Sequence, residues 1–379
     1  MPSTGDYLVI GAVAALTTFV VTPFVVRLAK WRGWVVEPDE RRVHRVVTPD
    51  VGGIAMLAGL LVAFAVARLW DAFDPLFARN SEPRGIVLAA VLMFLVGFVD
   101  DIREISAPAK VMGTVVVGAV LVYYGVTMFS FRIPFIDPFL LSDQWVPLIT
   151  VLWLLGMTNA INLIDGLDGL AAGIVAIGST AFFLYAQKLA DPSLGMLTQP
   201  NLGPMVAILT VGICVGFLPH NFNPARIFMG DGGALLLGLL MAVSTSVVGG
   251  RADQNAQQYV GQSYFFLAPL FIPLFILGVP ILDTLFAIIR RAAKRQGVAS
   301  ADKGHLHHRL MEMGHGQRRS VLILWAWTGL LSAFVLYPAL TGSGSSYIPV
   351  GAGMLVLALY TVLHPQIRRR RSDAVPDGS

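Results

Sequence analysis

Cysteine is nearly absent from this chain, and charge is scarce. A single cysteine, Cys214, stands among 379 residues, so no intramolecular disulfide is available. Placed in an apolar run, it reads as a small core hydrophobe and not a nucleophile. Charged residues make up only 13% of the chain against 55% hydrophobic, where soluble domains carry about 25% charged. That shortage excludes an ordinary soluble domain, and a mean hydropathy of +0.70 points to a polytopic membrane protein. The N-terminus lacks the basic start and small-residue cleavage site of a signal peptide, so its first apolar run is expected to remain as a helix. No fixed-period repeat and no soluble domain are evident. The basic excess, formally +4, is no sign of nucleic acid; in a membrane protein it more often records topology.

What is present is a series of eleven apolar segments, long enough or nearly so to cross about 30 Å of hydrocarbon. They fall at 7–28, 51–70, 84–101, 108–125, 145–158, 170–187, 204–219, 232–249, 264–290, 320–338 and 347–364. The fold class expected is therefore all-α: a helical bundle of about eleven transmembrane helices, residues 1–367 forming one domain and 368–379 a basic, then disordered, tail. The fifth segment is short and its helix can run on into Asn159–Asn162. Kinks are expected in the ninth from Pro269, Pro273 and Pro280. With eleven spans, loops after odd-numbered spans share one side with the C-terminus. That side holds twenty-one basic residues and the other six, which predicts a cytoplasmic C-terminus and an external N-terminus.

Polar residues cluster in the loops of that same side. The stretch N-A-I-N-L-I-D-G-L-D-G carries Asn159, Asn162, Asp165 and Asp168 at intervals of three, a spacing that keeps neighbours near one helix face. Two amides and two carboxylates converging there suit a hard cation and a polar ligand; a Gly-rich connector between helices is the plainer alternative. Asp100 and Asp101 close the third segment, where a helix C-terminus disfavours carboxylates. They imply a cation or basic partner, and Lys110 starts the next segment on the same side. Asp231, flanked by Gly230, Gly232 and Gly233, opens the eighth segment. It fits a metal or phosphate site at a helix N-terminus, or an ordinary N-cap. Phe228 is placed to stack on a base or to anchor at the interface. In the first loop, His44 precedes Gly52-Gly53, whose amides can approach an anion. Further on, D-K-G-H-L-H-H-R-L brings together Lys303, His305, His307, His308 and Arg309. No cysteine accompanies them, so phosphate suits this cluster better than zinc. Asp283, inside the ninth segment, is a buried acid whose role stays open.

Together these blocks resemble the polyprenyl-phosphate N-acetylhexosamine-1-phosphate transferases, the superfamily of the phospho-MurNAc-pentapeptide translocase. The matching blocks, in order, are V-D-D with Lys110, N-A-I-N-L-I-D-G-L-D-G, N-P-A-R-I-F-M-G-D-G-G and H-L-H-H-R-L. The likeness spans essentially the whole chain, and the H-L-H-H-R-L form resembles the branch that uses UDP-GlcNAc. The resemblance implies transfer of GlcNAc-1-phosphate from UDP-GlcNAc to undecaprenyl or decaprenyl phosphate, releasing UMP, at the cytoplasmic face of a bacterial inner membrane. It implies Mg²⁺, with Mn²⁺ as a substitute, held by Asp231 with Asn162 or Asp165. Asp100, Asp101, Lys110 and Asp165 are the implied catalytic set. Asp168, Phe228, Asn221, His305, His307, His308, Arg309, His44, Gly52 and Gly53 are the implied substrate-binding set. Membrane lipids and a second copy of the chain are further expected partners. Two other readings remain: a different UDP-N-acetylhexosamine donor, and an ion-coupled transporter, since intramembrane acids also mark transport paths.

Overall fold

A computed structural model describes residues 2–37, 46–78, 80–128, 130–131, 139–140, 143–190, 200–249, 311, 315–341 and 349–361. Its helices, in chain order, are α1 (Thr4–Arg32), α2 (Gly53–Arg68), α3 (Asp74–Phe77), α4 (Glu82–Arg103), α5 (Ala107–Tyr123), α6 (Val146–Ile164), α7 (Leu170–Leu189), α8 (Gly203–Asn221), α9 (Gly230–Gly249), α10 (Gln317–Thr341) and α11 (Pro349–Thr361). A short 3-10 turn at Asp71–Phe73 and two small antiparallel ribbons, Val35–Val36 with Thr48–Pro49 and Ser130–Phe131 with Phe139–Leu140, accompany them.

Among the described residues, six helices are long and apolar enough to cross a membrane. The count is seven if α2 and α3, bent by 89° at their junction, form one span. The protein is thus a multi-pass helical membrane protein. Each expected segment except 264–290 has its helix; that segment, with Asp283, lies outside the described residues. Helix α6, formed by the fifth expected segment, runs well past 158, through Asn159 and Asn162 to Ile164.

Helix α9 sits at the centre. It is almost wholly buried and packs on α2, α4, α6 and α8, as expected of a helix apolar on every side. Polar links tie it in: Trp153 of α6 donates to Thr245 of α9 at 2.7 Å. By contrast, α1 exposes Leu8, Leu16, Phe19 and Phe24, residues suited to lipid. It starts with a reciprocal cap, Asp6 N–H to Ser3 Oγ at 3.2 Å and Ser3 N–H to Asp6 Oδ2 at 2.7 Å.

Candidate active site

The first turn of α9 is gripped by two other helices where glycine allows it. A Cβ on Gly53 would lie 2.4 Å from Gly233 N, and one on Gly97 would lie 2.5 Å from the Asp231 carbonyl carbon. Small residues let membrane helices approach this closely. The chain before α2 runs beside the chain before α9: Phe228 N–H donates to Pro49 O at 2.8 Å, Gly52 N–H to Phe228 O at 2.9 Å and Gly53 N–H to Met229 O at 2.9 Å. The Gly52 and Gly53 amides are therefore used inside the protein. This corrects the expectation that they stand open to an anion; the pair is there for close packing.

Held this way, α9 presents its N-terminus to Asp101, one turn beyond Gly97 on α4. Asp101 Oδ1 accepts from Asp231 N–H at 2.6 Å, and Oδ2 from Gly232 N–H at 3.0 Å. Asp101 sits at the unfavourable end of its own helix but at the favourable end of another, where carboxylates satisfy free amides and meet positive partial charge. It follows that these two amides are not open to phosphate and that Asp231 is not the cap. The Asp231 side chain is left to pair with Lys110. Lys110 Nζ also lies 2.5 Å from Asp100 Oδ2, and Asp100 Oδ1 accepts from Ile105 N–H at 2.7 Å. One ammonium thus bridges two carboxylates from different helices, with each of the three side chains under one-third exposed.

The N-A-I-N-L-I-D-G-L-D-G stretch divides at Asp165. Asn159 and Asn162 lie on α6, Asp165 caps its C-terminus, and Gly169 (φ 78°) starts α7. The four polar side chains therefore do not converge on one spot, because the helix face ends before the second carboxylate. Asn159 turns back to Leu155 O at 2.7 Å. Buried Asp168 secures the loop between α8 and α9, its Oδ2 accepting from Asn223 Nδ2 at 2.8 Å and Ala225 N–H at 3.0 Å. Asn221 is fully inside: its Oδ1 accepts from Gly169 N–H at 3.0 Å, and its Nδ2 donates to Ile227 O at 3.0 Å. Its amide is a tie between two loops, which corrects its expected placement against substrate. Asn221→Ala leaves a buried N–H and a buried C=O unpaired, each costing about 1–3 kcal/mol. A fall in the thermal unfolding temperature, with the donor KM of the surviving folded fraction unchanged, is the expected result in detergent.

Asp165 lies among like charges. Removal from water first, then the Asp50, Asp231 and Asp168 carboxylates, hold its carboxyl well above the usual carboxylate range. Asp50, two residues before Gly52, is not among the residues that the sequence singles out. Nor is Asn223, which links Asp168 to Gln317 Oε1 at 2.7 Å. His44, His305, His307, His308 and Arg309 lie outside the described residues.

A cleft of about 310 Å³ opens beside Lys110 between α5 and α6. Lys110, Thr114, Asn159 and Asn162 form its polar part, and Ile105, Val111, Leu163 and Leu235 its apolar part. Among the described residues, no three acidic or histidine side chains already surround a single point. The donors nearby are all oxygen, however, and Mg²⁺ characteristically takes one or two carboxylates and completes its shell with water and substrate phosphate. A site where, among the described residues, Lys110 is the cation paired with the carboxylates of Asp100 and Asp231 fits such an ion.

The helices and the acid-rich end of the bundle define a multi-pass membrane protein with a charged site where α4 and α6 end and α5 and α9 begin. The chain belongs to glycosyl transferase family 4, whose profile matches residues 84–249. It is 34% identical over 374 residues to the decaprenyl-phosphate N-acetylglucosaminephosphotransferase of Mycolicibacterium smegmatis, covering 98% of this chain and 90% of that protein. A probable undecaprenyl-phosphate N-acetylglucosaminyl 1-phosphate transferase of Bacillus subtilis is 36% identical, covering 86% of this chain and 84% of its own length. The phospho-N-acetylmuramoyl-pentapeptide-transferase of Desulforudis audaxviator is 33% identical, covering 89% and 99%.

Proposed function

We propose that the protein transfers GlcNAc-1-phosphate from UDP-GlcNAc to a membrane polyprenyl phosphate, giving polyprenyl-diphosphate-GlcNAc and UMP. The observation that carries this reading is the length of the likeness to relatives named for that transfer, 34% identity across 98% of the chain. The test is UMP release by purified protein supplied with polyprenyl phosphate and, in turn, each of a panel of UDP-sugars. Highest turnover with UDP-GlcNAc is expected. Preference for a muramoyl-pentapeptide donor, the substrate class named in the Desulforudis relative, would shift the assignment within the family. Substrate accumulation without UMP would favour the transporter reading.

The acceptor phosphate has a second pKa near 6 and is mostly dianionic at pH 7, so it serves as the nucleophile itself. One of its oxygens attacks the sugar-bearing phosphorus of the donor. The bond from that phosphorus to the UMP oxygen breaks, and UMP leaves with the electron pair. Catalysis then rests on positioning and on offsetting charge. Lys110, at the head of the α5–α6 cleft, receives the acceptor phosphate, and the apolar wall of the cleft takes the first prenyl units. Asp100 orients Lys110. Asp168 and Phe228 face the uracil, and His305, His307, His308 and Arg309 the donor phosphates. Asp231, with Asp165 and Asn162, would hold Mg²⁺, or Mn²⁺ in its place, which would supply charge neutralisation to the diphosphate.

Asp100→Asn keeps the shape of that contact but weakens its grip on Lys110. Its slow activity is expected to recover in part as pH rises from about 6 to 8, where the acceptor phosphate loses its last proton unaided. A variant equally inactive across that range would assign Asp100 the chemistry itself.

The reading also places the acid-rich end in the cytoplasm, on the strength of the basic-residue asymmetry. Cys214 is fully buried, so an engineered cysteine can be labelled against a silent background. A cysteine at Ala78, which is exposed, should react with an impermeant maleimide in intact cells, and one at Ser372 should not. The reverse pattern would turn the site outward.

A further inference from the structure

At the other end of the same helices lies a groove with no part in the chemistry above. Its volume is about 560 Å³, and it is lined by α2, α3 and the start of α4. Most of the lining is apolar. Phe64 and Phe77 stand edge to face with ring centres 5.7 Å apart, and Leu88 is 40% exposed on the lateral surface of the bundle. Two lining residues, Arg68 and Arg84, are charged, and both are positive.

The nearby acids do not cancel them. Asp74 pairs with Arg68 at a loose 3.6 Å, both side chains being 62% exposed, so water screens that pair. Glu82 is buried and bonded by Asn80. Among the described residues, Arg84 has no ion-pair partner within the salt-bridge distances seen here. The Arg68 guanidinium lies 5.5 Å from the centre of the Phe77 ring, a position that keeps it over the groove.

The groove is remote from the acid-rich end. Gly53 touches the first turn of α9 and Arg68 ends the same helix, which places them roughly 22 Å apart at about 1.5 Å per residue. Asp100 and Arg84 on α4 are separated by about as much, roughly 24 Å. A polyprenyl phosphate whose phosphate sits at Lys110 cannot place that phosphate here. A small soluble anion would satisfy the arginines but leave the apolar wall unused.

We propose that this groove binds one anionic phospholipid of the leaflet opposite the acid-rich end. An acyl chain lies against Phe64, Phe77, Val87 and Leu88, and the headgroup phosphate is held by Arg68 and Arg84. The arrangement joins an apolar wall to cationic side chains at its aqueous end, where each arginine adds electrostatic attraction for anionic lipid.

The test is native mass spectrometry of the full chain in mild detergent. Phosphatidylglycerol and phosphatidylcholine of matched acyl chains compete for binding. One phosphatidylglycerol should be retained with roughly tenfold preference. The Arg68→Gln/Arg84→Gln double variant should bind both lipids alike. Val87→Trp fills the groove without changing charge and should weaken retention of either lipid. Should the double variant not elute as a single species, the wild-type competition and Val87→Trp decide the matter. Equal retention of the two lipids by wild-type protein, an undiminished preference in the double variant, retention unaffected by Val87→Trp, or displacement of phosphatidylglycerol by millimolar inorganic phosphate would each overturn the proposal.

Discussion

Asp231→Asn should slow UMP release by roughly 10²-fold or more, the scale of losing one strong electrostatic contact in a preorganised site. The substitution preserves shape and leaves the α9 amides capped, because Asp101 and not Asp231 receives them. What it removes is one of the two carboxylates that hold Lys110. It also removes the charge through which this end of α9 would engage Mg²⁺. The loss should fall mainly on kcat, with half-saturation moving to higher Mg²⁺ concentration. A rate indistinguishable from wild type at every Mg²⁺ concentration would exclude Asp231 as a ligand.

The second large effect is expected at Asp101, where substitutions separate structure from chemistry. Asp101→Ala leaves two amides at the buried start of α9 without a partner, at about 1–3 kcal/mol each. It also frees the turn that carries Asp231. A displacement of about 1 Å at a reacting centre can cost 10²-fold in rate, so Asp101→Ala should lose both activity and thermal stability. Asp101→Asn keeps one oxygen to accept from an α9 amide but turns an NH2 donor toward the other, so its unfolding temperature and its rate should fall between those of wild type and Asp101→Ala. Equal inactivity of the Asn and Ala variants, with unfolding temperatures unchanged in both, would show that the Asp101 carboxylate takes part in the chemistry and does more than cap α9.

The two adjacent aspartates illustrate how far the sequence could be read. Carboxylates at the C-terminal end of a helix demanded a positive partner, and Asp100 has one in Lys110, ten residues on. The partner of Asp101 is a helix N-terminus 130 residues away in sequence, and no local pattern announces it. Apolar runs located the helices well because each must bury its own backbone hydrogen bonds in lipid. They left the end of α6 open: the apolar run stops at 158, but Asn159 returns its side chain to the helix backbone and the helix continues to Ile164. Gly52-Gly53 misled in the other direction. Glycines that suit an anion also suit close backbone packing, and only the position of α9 decides between them. Asp50 carries no signal in the sequence because it is one of four acids scattered through a basic loop, with no periodicity. Its importance comes from the carboxylates that the fold brings near it.

The measurement that bears most directly on the whole account is a rapid-quench assay of UMP formation, with enzyme concentration comparable to that of UDP-GlcNAc and with polyprenyl phosphate either present or omitted. The account predicts no UMP without the acceptor. With it, UMP should form in step with polyprenyl-diphosphate-GlcNAc, one for one. A burst of UMP equal to the enzyme concentration in the absence of acceptor, with the sugar phosphate retained on the protein, would contradict direct attack and make an aspartate the nucleophile.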